Sequence, residues 1–181
     1  PRAMASYVAL LYSIVLPGNA RLKMEALRDL AARAGFADAR TIGASGNLIL
    51  DAKGRPSVAT IERKLEAEFV TAFGKPVPII VRPAAALRAM PARNPFGSAH
   101  HPQRVSVRVM RAPYPPAILD DLAPYIEDED VALVDGDLWI GFRRQPSETR
   151  LLSAFSTRRF ASRPGTFRAL SVIERIGKAL G

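Results

Sequence analysis

The chain has 181 residues, of which 48% are apolar, carries a formal net charge of +9 and contains no cysteine. That length fits one large domain or two small ones with a sizeable buried core, and the apolar share argues against disorder. The missing cysteine excludes disulfides, thiol nucleophiles and thiolate metal sites and fits a reducing, cytoplasmic location, while no apolar run reaches the 18 residues of a membrane span.

Residues 7–15 are β-branched, aromatic and aliphatic, which predicts a central strand. The same stretch follows Arg2 and superficially imitates a secretory signal, but Ser6, Tyr12 and Ser13 interrupt it. Pro17-Gly18-Asn19 ends the strand. Residues 21–34 show helical spacing, with Met24, Leu27, Leu30 or Ala31, and Ala34 on one face. Gly35 stops this helix and places Phe36 to fold back on it. Short strands at 39–42 and 48–50 flank the turn Ala44-Ser45-Gly46-Asn47. Ser57 caps a second helix with Val58, Ile61, Leu65, Phe69 and Phe73 inside, and Gly74 ends it. A fourth strand covers 77–81. The order β-α-β-β-α-β, each helix needing a sheet to bury its face, predicts a ferredoxin-like lobe.

Residues 83–90 fit a short helix, and 91–102, with three prolines and one glycine, read as a linker. The pattern then restarts. Over 104–110, Val105, Val107 and Val109 alternate with Arg104, Ser106, Arg108 and Met110, the clearest strand in the chain. A helix starts at Pro115-Pro116. Strands at 131–134 and 138–142 flank Asp135-Gly136-Asp137, a tight-turn sequence. Ser147 is placed to cap a helix through Phe155 and beyond. A weak strand falls near 160–163, and Thr166 caps a last helix bearing Phe167, Leu170, Ile173, Ile176 and Leu180. The expected fold is α+β: two ferredoxin-like lobes in tandem, 1–82 and 103–181, joined by a linker at 83–102. Each has an antiparallel sheet with helices on one face, and a C-terminal helix completes the second.

Tyr7-Val8-Ala9-Leu10-Leu11, Gly18-Asn19, Met24-Glu25-Ala26-Leu27-Arg28 and Gly35-Phe36 resemble an uncharacterised bacterial family, domain of unknown function 1697. Its opening reads Y-V-A-L-L-R-G-I-N-V-G-G-N-N-K, followed by M-x-x-L and G-F. The family's T-Y-I-Q-S-G-N-V is matched by Thr41-Ile42-Gly43-Ala44-Ser45-Gly46-Asn47-Leu48, and Asn94-Pro95-Phe96 also fits. The resemblance spans most of the chain and implies two ferredoxin-like lobes with no established activity. Several polar positions differ. Tyr12-Ser13 stand where the family has Arg-Gly, Val15 replaces an Asn, and Ala44 replaces a Gln. Of the family's T-x-R-N-W block only Arg163 matches, with Pro164-Gly165 in place of Asn-Trp. A ligand site built from those groups in relatives is expected to be altered here.

The ligand-binding candidates are therefore Gly18, Asn19, Arg21, Ser45, Gly46, Asn47 and Arg163. Gly18-Asn19 and Arg21 fall between a strand and a helix, where backbone N–H groups hold anions. No phosphate-loop pattern supports them, and an ordinary turn is the plainer reading. Ser45-Gly46-Asn47 likewise reads as a hairpin turn. His100-His101 has no metal-ligand spacing and reads as a solvated loop. No catalytic triad order is present, Glu127–Asp130 reads as a solvated acidic face, and no catalytic residue, metal or cofactor is predicted.

The charge is unevenly placed. Residues 111–142 hold one basic and eight acidic residues, and 143–181 hold nine basic and two acidic. Ala, Arg, Pro and Gly, all with G/C-rich codons, make up 77 of the 181 residues, so base composition accounts for much of the arginine. The functional alternative is polyanion or nucleic-acid contact along Arg143, Arg144, Arg150, Arg158, Arg159, Arg163 and Arg168. Another is docking of the two patches, between lobes or between copies in a homodimer. Trp139 points opposite to Leu138, Ile140 and Phe142. It packs under the terminal helix or, if Arg104 and Arg108 share its face, lies on an open stacking platform. The leading expectation is a non-enzymatic ligand- or partner-binding protein; nucleic-acid binding and a small-molecule enzyme with a cleft between the lobes are the alternatives.

Overall fold

The computed structural model describes residues 3–12 and 21–181. The first strand, β1 (Met4–Leu11), buries every residue from Tyr7 to Leu11. It begins earlier than expected, and positions 13–15 of the expected strand lie outside the described residues. α1 (Met24–Arg33) buries Leu27, Leu30 and Ala31. It closes as Gly35-Phe36 requires: the Phe36 N–H donates to the Ala31 carbonyl at 2.8 Å and the Gly35 N–H to the Ala32 carbonyl at 3.0 Å. Gly35 sits at φ +100°, where a side chain is strained. β2 (Arg40–Thr41) and β3 (Asn47–Lys53) form a hairpin. α2 (Val58–Phe73) starts at Ser57, whose hydroxyl accepts the Thr60 N–H at 3.2 Å, and ends at left-handed Gly74. β4 (Ile79–Pro83) completes an antiparallel sheet of order β2-β3-β1-β4. Its inner face, with Ala9, Leu48 and Val81, packs against Leu27 and Leu30 of α1 and Leu65 of α2.

β4 lies at the edge of this sheet, and its outward amides are used. The Ile79 N–H donates to Glu66 Oε1 at 2.9 Å and the Val81 N–H to Glu62 Oε2 at 3.1 Å. Pro83, next on the same side, has no N–H. Glu62 is buried, and the backbone donor compensates part of its desolvation.

α3 (Ala84–Ala89) follows where a short helix was expected. The second sheet comprises β5 (Val105–Met110), β6 (Asp130–Val134), β7 (Asp137–Gly141) and β8 (Gly165–Ala169) in the order β6-β7-β5-β8, again antiparallel. α4 (Ile118–Leu122) and α5 (Arg158–Ala161) cover one face, where Met110, Leu138, Ile140 and Phe142 meet Ile118 and Phe160. Asp135 at φ +51° and Gly136 at φ +82° form the tight turn between β6 and β7. α6 (Leu170–Ala179) ends the chain. The fold is α+β, two tandem lobes each with a four-stranded antiparallel sheet. The chain divides into two compact units, Pro1–Arg88 with Arg175–Gly181, and Ala89–Glu174. Among the described residues no helix is long and apolar enough to cross a membrane.

Three expectations are corrected. The helix from Ser147 through Phe155 is two 3-10 segments, Pro146–Glu148 and Leu151–Ser156, with α5 after them. The strand expected at 160–163 lies at Gly165–Ala169, so Thr166 and Phe167 belong to β8 and not to the last helix. Pairing of Phe167 with Arg108 and of Thr166 with Val109 overrides the local helix signal. Of the two readings of Trp139 the packed one fits, since the ring is 1% exposed and not on an open platform. Arg108 lies on the opposite face, between Leu138 and Phe167. Finally, His100 is no solvated loop residue: its side chain is 3% exposed.

Candidate functional site

The acidic and basic blocks meet within the second unit. Arg144 Nη2 lies 2.8 Å from Glu127 Oε2 and its Nε 3.1 Å from Asp128 Oδ2. Arg143 Nη2 lies 2.9 Å from Asp130 Oδ2, and its Nε donates to the Asp128 carbonyl at 2.9 Å. Arg159 pairs with Asp121 at 2.6 Å. Arg150 sits 5.8 Å over the Tyr125 ring, and its backbone N–H reaches Glu127 Oε2 at 3.4 Å. The hydrogen bond from Arg144, then that from the Arg150 backbone, holds the Glu127 carboxyl below its usual range. Such exposed pairs add little stability. They do engage three arginines that would otherwise face a polyanion. Arg158 and Arg163 are exposed, whereas Arg168 is buried on β8 beside Thr166, and burial pushes its guanidinium down to about 10.

Asp130 also binds His100. The imidazole Nε2 and Asp130 Oδ2 are 2.6 Å apart, and the Phe96 ring meets the imidazole edge-on at 5.6 Å. The hydrogen bond from His100, then the Arg143 charge, keeps the Asp130 carboxyl below the ordinary carboxylate range. Gly141 makes room for the ring: a Cβ there would stand 2.5 Å from His100 Cδ2. This arrangement ties the 94–102 segment to β6 and β7. Among the described residues no group of three or more acids and histidines is placed to hold a metal ion.

The feature with most chemical potential is Arg108, at the centre of the helix-covered face. It is 5% exposed. Its Nε donates to Tyr114 Oη at 3.2 Å and its Nη2 to the Arg163 carbonyl at 3.3 Å. Its Cζ lies 5.1 Å from the Phe155 centroid and 5.2 Å from that of Phe167. Among the described residues no carboxylate pairs with it, and Nη1 has no acceptor. Four residues before Arg108, Arg104 Nη1 is buried without a hydrogen bond, as is Glu129 Oε1.

The first-lobe candidates do not form such a centre. Gly18 and Asn19 lie outside the described residues. Arg21 and Ser45 are exposed. Gly46 holds φ +74°, a Cβ there would meet Leu11 Cβ at 3.1 Å, and its carbonyl accepts the Leu11 N–H. Asn47 is buried, with its amide donating to the Ile42 carbonyl at 3.0 Å. Gly46 and Asn47 thus serve the β2–β3 turn. Arg163 belongs to the second unit and joins the Arg108 centre through its carbonyl. Arg108, Tyr114, Phe155 and Phe167 were not among the sequence candidates. The alternation of β5 placed Arg108 on a face, but assigning Phe167 to a helix hid the convergence.

Comparison with known proteins fits this architecture. The family model described as "Protein of unknown function (DUF1697)" matches residues 4–139. The chain belongs to the DUF1697 family. The DUF1697 match includes Arg108 and Tyr114 and ends before Phe155, Arg163 and Phe167. No curated protein matches the chain. Among solved structures, the conserved bacterial protein SP0830 from Streptococcus pneumoniae is similar, with a TM-score of 0.75 at 17% identity, covering 98% of this chain and 99% of that one. At that identity the likeness shows the fold alone, including that of the second lobe beyond residue 139 where the DUF1697 match ends.

Proposed function

We propose that this protein is a ligand-binding protein whose second unit takes an anion at Arg108. One observation carries the reading: a guanidinium 5% exposed that has, among the described residues, neither a carboxylate partner nor an acceptor for Nη1. Burying a charge costs several kcal/mol unless partners compensate. Two ring faces, a phenol oxygen and one carbonyl compensate in part; a bound anion would supply the opposite charge. The groups at this centre are a cation, two oxygens that accept from it and two rings, suited to holding a ligand. Of the sequence candidates, Arg163 joins it through its carbonyl, while Gly46 and Asn47 serve the β2–β3 turn and Arg21 and Ser45 are exposed in the first unit.

The test is a titration of the protein with acetate and with inorganic phosphate, followed by the Arg108 Nε–H resonance, against chloride at equal ionic strength. A millimolar affinity, about −4 kcal/mol, is expected for so small an anion. Arg108→Lys should weaken it, and Arg143→Ala should not. No shift beyond the chloride control at concentrations of about 50 mM, well above that affinity range, would overturn the reading.

A further inference from the structure

We infer that the ligand is an aromatic anion, a carboxylate or phosphate beside a flat ring, held end-on by Arg108 with its ring against Phe155 and Phe167. This rests on the anion-binding reading and adds the ligand's chemical class. The guanidinium's engaged edge is Nε with one proton of Nη2, given to Tyr114 Oη and the Arg163 carbonyl. Both Nη1 protons and the second Nη2 proton have no acceptor among the described residues. Those donors form the end-on edge of a planar fork, which matches two oxygens of a carboxylate or phosphate. A lone phosphate would satisfy that edge, so the rings argue for more.

Phe155 and Phe167 meet edge to face with centroids 4.9 Å apart, and Phe155 meets Phe160 in the same way at 5.5 Å. Phe160 is buried, but Phe155 and Phe167 are each only half-buried, beside the most buried arginine of the lobe. A ring on the ligand would extend the edge-to-face cluster and cover that apolar surface. It would also shield the ion pair at Arg108 from water, strengthening it.

The experiment compares matched probes on the full chain by calorimetry: acetate with benzoate, and inorganic phosphate with phenyl phosphate. The aromatic member of at least one pair should bind about tenfold tighter, and the pair that shows it separates carboxylate from phosphate. Phe155→Leu, which keeps an apolar side chain, should bring the affinity ratio of the ringed to the ringless probe down to about one, whatever it does to the affinity of acetate or phosphate itself. Phe167→Leu provides the same test if the first variant does not fold. Equal affinity of ringed and ringless probes for the native protein would overturn this inference while leaving the anion site standing. Binding of none of the four would overturn both.

Discussion

Gly141→Ala should be costly out of proportion to its size. Gly141 stands on β7 opposite Asp130 and Val105. An added Cβ would lie 2.5 Å from His100 Cδ2, 2.6 Å from Nε2 and 3.0 Å from Cγ. The ring cannot retreat without losing its 2.6 Å bond to Asp130 or its contact with Phe96. Overpacking of this kind costs about 1–3 kcal/mol. Losing a hydrogen bond to a charged group adds about 1.5–3 kcal/mol, discounted because Asp130 is 41% exposed. Replacing a strand glycine returns about 0.5–1 kcal/mol. The net loss is about 2 kcal/mol, or about 4–8 °C in Tm for a chain of this size. Urea unfolding followed by Trp139, the one tryptophan, reads the second unit directly. The decisive arm is the double-mutant cycle. On a His100→Ala background the same substitution should cost almost nothing, because the obstructing ring is gone. Gly141→Ala with native stability, or an equal cost on both backgrounds, would refute the reasoning.

Two further predictions concern charge. The Asp130 carboxyl has a folded pKa below its unfolded value, so its contribution is full above the ordinary carboxylate pKa and is lost as pH falls through the lowered folded value. Native protein should therefore lose stability on the acid side of about pH 4 more steeply than Asp130→Asn, and parallel acid melts would contradict this. For the arginine segment, Arg143, Arg144 and Arg159 are paired and Arg168 is buried, which leaves Arg150, Arg158 and Arg163 for a polyanion. Single-stranded RNA should bind weakly, with a log–log salt slope of about −2 for three phosphate contacts. A slope steeper than about −4 would mean that the ion pairs open on binding and would favour the nucleic-acid reading.

The first lobe was legible because its signals are local. Ser57 three residues before Thr60, Gly74 after Phe73 and Gly35-Phe36 after α1 each fix a helix end through bonds to near neighbours. Asp135-Gly136 fixes a hairpin in the same way. The misreadings are long-range. Thr166 followed by spaced apolar residues imitates a capped helix until β5 offers a partner along Gly165–Ala169. His100 lacks a metal spacing, as read, but its burial depends on a glycine forty-one residues away. The two charge blocks were visible; that they close on each other depends on Arg143 and Arg144 following β7 while their acids precede or begin β6. Arg108 needed all of these at once: correct strand pairing, correct face and the right tally of acids around it.

The treatment of β4 has a consequence for how the molecule behaves at high concentration. A sheet edge with idle donors is a template on which another chain can lay a strand. Here α2 reaches over with Glu62 and Glu66 to take two of those donors, and Pro83 never had a third. An incoming strand would have to displace two carboxylates and desolvate them, with no backbone hydrogen to gain at the last position. On that side the first sheet is closed to growth by recruitment, and the glutamates that close it sit one helical turn apart on a helix whose other duty is to fill the core.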